Sequence, residues 1–287
     1  MVALTQLTLM QQIKEPAAAK STSREPGKQL TVKPGQLLKD VFNTPIQVKG
    51  QPVALNLEDE FEPSTADFFY RNALEHLAAG RIGNGISDLR RAVELRPDFV
   101  EAHRELGTIF QTTGQLEEAV EPFREVVRLR PEETEPHYAL GTIYDGLGRL
   151  DDAIREYLEA IKTLPGYVEA YFCIANDLAK KGLLDEAIWV YSKVIRLSPD
   201  FPEAYTQVGF VMQRKGALNE AVLAFRETLR LVPGDELAHY NLASACLRQG
   251  NLLEAMKGFG EVLRINPANH EAAHKLQYVM DALARMH

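Results

Sequence analysis

The sequence predicts an all-α fold, a stack of helix–turn–helix units, and three observations carry that expectation. Pro97, Pro131, Pro165, Pro199, Pro233 and Pro267 stand 34 residues apart without a slip. Gly80, Gly114, Gly148, Gly182, Gly216 and Gly250 keep the same period. Between these markers the apolar residues recur at helical spacing, two segments to each unit. A long internal period of this kind marks a solenoid, because one helix pair cannot bury its own apolar face and stacked pairs bury it jointly.

Composition agrees. The chain has 287 residues, 45% of them hydrophobic, and a formal net charge of -8. Residues 1–65 hold seven basic and seven acidic side chains, so the remainder carries 25 against 33 and the whole of the -8. An acidic body argues against binding nucleic acid, which needs clustered Lys and Arg. Cys173 and Cys246 match no metal or redox spacing and fit a reducing compartment. No apolar run is long enough to span a membrane. The opening "MVALTQLTLMQQIK" lacks the basic start of a secretory signal. The protein is read as cytoplasmic, with an organellar location the alternative if residues 1–30 form a transit peptide.

Taken in order, residues 1–35 are polar, aperiodic and expected to be disordered. Residues 36–65 form an extended segment, in which 36–57 is a candidate N-cap over Phe68, a tethered partner-binding arm, or plain disorder. Phe68 stands where other units hold Ala or Pro, with no earlier unit to cover it. Ser64 with Asp67 resembles a capping box that opens the first helix. Six units follow: 66–99, 100–133, 134–167, 168–201, 202–235 and 236–269. In the fifth, Tyr205, Val208, Gly209 and Met212 share one face of a first helix. Leu218, Ala221, Val222, Phe225 and Leu229 share a face of the second. Gly216 suits a left-handed helix end and Pro233 stops the second helix. Pro122, inside the second helix of the second unit, is expected to disturb its first turns. Residues 270–287 match half a unit and form a capping helix. There Leu276, Val279, Met280 and Leu283 face the sixth unit and Lys275, Gln277, Asp281 and Arg285 face water.

Two further columns keep the period. Small residues run Ala73, Gly107, Gly141, Ala175, Gly209 and Ala243, and Gly85, Ala119, Ala153, Ala187, Ala221 and Ala255. Four residues after the second column come Leu89, Phe123, Tyr157, Tyr191, Phe225 and Phe259. On these residues the chain closely resembles the tetratricopeptide repeat family. The resemblance covers roughly 66–287 and implies a right-handed superhelical solenoid whose first helices line a concave groove.

The resemblance also names a surface. Groove positions of the family fall here on Tyr70, Arg104, Tyr138, Phe172, Asn176, Gln207, Phe210, Tyr240 and Asn241. Rings mixed with amides suit an extended peptide or a partner helix, and the opposing reading is that some rings only pad neighbouring helices. Two family subtypes do not fit. The clamp for acidic chaperone tails needs Lys and Asn where Tyr70 and Leu74 stand, then Asn and Lys where Glu105 and Glu135 stand. An asparagine ladder would need more than Asn241. On the opposite face, Trp189 and Leu223 share a polar slot, as a second contact or as residues covered by neighbours. The column Arg128, Lys162, Arg196, Arg230 and Arg264 lies near helix C-termini, where cations complement the dipole.

No nucleophile–base pair, phosphate loop or cofactor site survives the register, so the expectation is a non-enzymatic scaffold that binds protein and assists assembly of a complex. A regulatory subunit of a partner enzyme is the alternative. The stretch His270-Glu271-Ala272-Ala273-His274 matches the zinc-protease signature H-E-x-x-H. Yet "PANHEA" is the anchor seen as "PDFVEA", "PGYVEA" and "PDFPEA", and Glu271 continues the column Glu101, Glu135, Glu169 and Glu203. The 13 residues after His274 supply no third-ligand pattern, so the signature is a coincidence of register. Purified protein is expected to hold no stoichiometric zinc by elemental analysis, with a melting temperature unmoved by chelators. One tightly held zinc per chain, lost in His274→Ala, would overturn this.

Overall fold

The computed structural model describes residues 65–286. The segments expected at 1–35 and 36–57, and Ser64, lie outside them. Thirteen helices run in order: α1 Ala66–Ala78, α2 Ile82–Leu95, α3 Val100–Thr112, α4 Leu116–Leu129, α5 Thr134–Gly146, α6 Leu150–Thr163, α7 Val168–Lys180, α8 Leu184–Leu197, α9 Pro202–Lys215, α10 Leu218–Leu231, α11 Glu236–Arg248, α12 Leu252–Ile265 and α13 His270–Ala284. No strand occurs among the described residues. Each odd helix packs on the even helix that follows, and each even helix on the next pair, as in a solenoid. First helices also touch one another from α5 to α7 and from α7 to α9.

The turn between paired helices needs a left-handed residue. All six column glycines supply it, with φ from 72° at Gly80 to 81° at Gly182. Pairs end at Arg96, Arg130, Leu164, Ser198, Val232 and Asn266, each directly before a column proline. The chain then re-enters helix, and a ring often closes this joint. His103, Tyr171, Tyr205 and His239 each bond the carbonyl of the proline six residues earlier, at 3.0 Å, 3.4 Å, 3.2 Å and 3.0 Å.

Within each pair, small residues allow close approach. A Cβ added at Gly209 would lie 2.5 Å from Phe225, and one at Gly141 2.4 Å from Tyr157. Those rings are fully buried, as are Tyr191 and Phe259, and they form the centre of each repeat. Burying one such ring is worth about 1.5–3 kcal/mol.

Four local expectations are corrected. The N-cap of α1 is Thr65, whose Oγ1 accepts from Phe68 N at 3.2 Å, while Asp67 pairs with Arg96 instead of closing a capping box. Pro122 does not disturb α4, which runs through it. The carbonyl it deprives of a donor belongs to Glu118, an exposed residue that water can serve. On α13, Val279 is buried and Leu276 and Leu283 pack on the sixth repeat, but Met280 is exposed. Lys275 does not face open water: its ammonium sits 4.5 Å from the Tyr240 ring centroid. Phe68 is half-buried, with its ring edge-on to Phe69.

Replacing Gly209 with Leu is expected to destabilise the array by about 1–3 kcal/mol through overpacking against Phe225. Gln213→Leu, on the same helix but half-exposed, should change little. Thermal melting compares the two, and equal effects would refute the packing argument.

Candidate functional site

In the first four repeats the fifth residue of the first helix meets the residue that precedes the next first helix. Tyr70 packs on Phe99 with centroids 4.8 Å apart, Tyr138 on Tyr167 at 4.9 Å and Phe172 on Phe201 at 5.0 Å. In the second repeat the same joint is an ion pair, Arg104 to Glu133, with Glu135 3.6 Å away. Tyr240 hydrogen-bonds Glu271 and accepts from Lys275 Nζ at 2.5 Å. These interactions occupy Glu271, the central residue of the H-E-x-x-H stretch, and lower its pKa, the Tyr240 bond most.

The structure therefore brings the sequence-predicted rings into one row, half-buried, with Tyr70, Tyr138 and Phe172 shared by two repeats, Tyr240 by the sixth repeat and α13, and Phe210 packed on Phe225 of its own repeat. Core rings support them from behind. Tyr157 lies 5.6 Å from Tyr138, Tyr191 6.0 Å from Phe172, Phe225 5.7 Å from Phe210 and Phe259 5.8 Å from Tyr240. Asn176 is half-buried, its Oδ1 accepting from the Tyr191 hydroxyl at 2.5 Å. Gln207 is half-buried on α9. Asn241 is placed differently: it is 8% exposed, and its amide donates to the Leu237 carbonyl at 2.8 Å.

Sequence reasoning missed Phe99, Tyr167 and Phe201. Each is the N-cap residue of a first helix, where Ser, Thr, Asp or Asn is usual, and none makes a side-chain cap. Aromatic residues two places after the column proline were the available signal.

Asp177 was also missed. Its slot, the tenth of each first helix, holds buried Ile109, Ile143, Val211 and Ala245 in four repeats and an exposed Glu75 in the first. Asp177 is 1% exposed, and its Oδ2 has no hydrogen-bond partner. Lys180 Nζ reaches its Oδ1 at 3.1 Å and also bonds Asp145 of α5. Burial, first, and the neighbouring Asp145 push the Asp177 carboxyl from 3.8 up to about 7, against the pull of Lys180. The bonds to both aspartates outweigh burial and raise Lys180. Tyr157, Tyr191 and Cys173 border this centre, and burial raises each of them. The Tyr138 hydroxyl lies 3.8 Å from Cys173 Sγ.

On the opposite face Trp189 is 36% exposed and Leu223 60% exposed. The basic column is largely answered by glutamates one turn earlier: Glu125–Arg128 at 2.8 Å, Glu159–Lys162 at 2.6 Å, Glu227–Arg230 and Glu261–Arg264 at 2.7 Å. Exposed pairs of this kind contribute little stability. No helix of the described residues is long and apolar enough to cross a membrane.

Family models described as tetratricopeptide repeat match residues 70–134, 134–163 and 213–270, and one described as TPR repeat matches 175–216. The chain belongs to the tetratricopeptide repeat family. Among solved structures, MamA is 26% identical, covering 56% of this chain and 94% of its own, with a TM-score of 0.53. PilW, a widely conserved type IV pilus biogenesis factor, is 19% identical over 75% and 98%, with a TM-score of 0.58. YrrB, a TPR protein with an unusual peptide-binding site, is 19% identical over 65% and 96%, with a TM-score of 0.54. A search of curated protein sequences found no match.

The Asp177 centre makes stability depend on pH. Its folded pKa, about 7, lies above the ordinary 3.8, so the folded chain holds the proton more tightly. That stabilisation is complete below about pH 4 and is lost as pH rises through 7. Asp177→Asn, which stays neutral, is expected to melt level with wild type at pH 4 and increasingly above it as pH rises to 8. Parallel curves across that range would show that the carboxyl does not titrate there.

Proposed function

We propose that this chain is a non-enzymatic adaptor that holds an extended or helical segment of a protein partner along its first helices, and so helps to assemble a larger complex. The row of half-buried rings carries the reading. Tyr70, Tyr138, Phe172 and Tyr240 are each held by a neighbouring repeat or by α13, and the last three also rest on core rings. Such rings lose little freedom when a partner covers them, and aromatic anchors of this kind carry most of the energy at protein interfaces. Arg104, Asn176, Gln207 and Phe210 supply polar and apolar contacts on the same helices. Asn241, buried and internally bonded, serves the fold. The partner is a protein segment and not an acidic chaperone tail or nucleic acid, given Glu105 and Glu135 on this face. The free cysteines Cys173 and Cys246 suit a reducing, cytoplasmic setting.

Affinity capture from the native source, with bound proteins identified by mass spectrometry, tests this. Replacing both Tyr138 and Phe172 by Ala should weaken capture by about 2 kcal/mol or more. It should also lower the melting temperature, because both rings bridge repeats. Gln207→Arg separates the effects: it crowds the groove without removing a ring contact, and should lose the partner while melting like wild type. Trp189→Ala should retain the partner. Loss in Trp189→Ala with capture intact in the groove variants would move the interface to the opposite face.

A further inference from the structure

The carboxyl of Asp177 is not explained by the fold. Four of the five other repeats fill its slot with a buried Ile, Val or Ala, and only the first holds an acid, Glu75, which is exposed, so the buried form of this slot accepts an aliphatic side chain. A buried carboxyl with an unpartnered oxygen destabilises relative to such a residue. Its setting is a polar well. Asp177 forms the floor, 1% exposed, while Asp145 and Lys180 form a rim with side chains 32% and 47% exposed. Two carboxyls face one ammonium, and Asp177 Oδ2 remains an unused acceptor. Tyr157 of α6, Tyr191 of α8 and Cys173 of α7 border it without positive charge, and from α9 the Arg214 guanidinium is engaged by the Ala179 carbonyl at 2.7 Å. Tyr138 and Asn176, two residues of the proposed groove, adjoin the well through Cys173 and Tyr191.

We propose that the Asp145–Asp177–Lys180 well receives a basic side chain, a lysine ammonium or an arginine guanidinium, from the segment bound in the groove. This rests on the groove reading above and gives the partner a chemistry. Lys180 sits on a flexible stem and can swing to water. The incoming donor then satisfies Asp177 Oδ2 and Asp145 together, and the proton held by Asp177 leaves to solvent. Exposed Glu135, Glu169 and Glu203 at the N-terminal ends of α5, α7 and α9 favour the approach of a basic segment. A divalent cation fits poorly. It asks for six or more oxygens, and no group of three metal-binding side chains gathers among the described residues.

The probe is a fully randomised displayed peptide library, selected on the immobilised full chain with Gln207→Arg as counter-selection. Enriched peptides are expected to share a Lys or Arg at one position. Replacing that residue by norleucine in a synthetic peptide should weaken binding at least tenfold, and Asp177→Ile in the protein should do the same. Asp177→Ile should also melt above wild type, which separates lost recognition from lost folding. Wild-type affinity should rise between pH 6 and pH 8, and the Asp177→Ile affinity should stay level. Groove-specific peptides without a shared basic residue, or indifferent to Asp177→Ile, would leave the groove reading standing and overturn this one. Selection of no groove-specific peptide would overturn both.

Discussion

A ring laid across a small residue is the contact on which the rest of this structure depends. Phe123 crosses Gly107, Tyr157 crosses Gly141 and Phe225 crosses Gly209, each so close that a methyl group would intrude. The contact fixes the spacing of the two helices in a repeat. The column it belongs to also sets the row of half-buried rings, because Tyr157, Tyr191, Phe225 and Phe259 touch Tyr138, Phe172, Phe210 and Tyr240 on their other side. Core and surface are therefore one layered packing. The rings proposed to bind need no scaffold of their own, since the residues that close each repeat also aim them.

Periodicity made most of this legible before any coordinates. Columns of glycine, proline, small residue and ring carry separate physical duties: left-handed turn, helix stop, close approach and core filling. A residue that breaks its column was harder to read. Phe99, Tyr167 and Phe201 stand where a cap would satisfy backbone donors, and local capping rules do not foresee a partner ring 29 residues earlier in the chain. Asp177 was visible in its column as an inner-repeat acid where the neighbouring repeats hold aliphatics, but its meaning required Asp145 from another helix. Lys275 and Met280 were assigned by helical phase alone. Phase does not register that Tyr240 draws the lysine inward, or that Met280 stays outside the cluster that takes in Leu276, Val279 and Leu283. Thr65 displaced Ser64 as the first cap because the helix begins one residue later than the capping-box pattern implies.

In a stack, each repeat contacts little besides its neighbours, so local energies stay local. The buried carboxyl lies on α7, which touches both α5 and α9. A polar well at that point weakens the apolar seam in the middle of the array, where neighbouring repeats on both sides can hold it in place. The same well at a terminal repeat would fray, because one of those supports would be missing. Its central position is thus the one at which such a carboxyl is best tolerated.

The shared rings have a further consequence. Tyr138 with Tyr167, and Phe172 with Phe201, join consecutive repeats on the face proposed to bind. A ligand resting on them presses on the joints that set the angle between repeats. Binding and curvature are then not independent: a segment that fits stiffens the joints it covers, and one that does not must bend them. The ion pair Arg104–Glu133 occupies the same joint in the second repeat, where charge replaces ring stacking. Ring joints resist salt and that ion pair does not, so salt is expected to loosen the joint between the second and third repeats before the ring joints on either side of it.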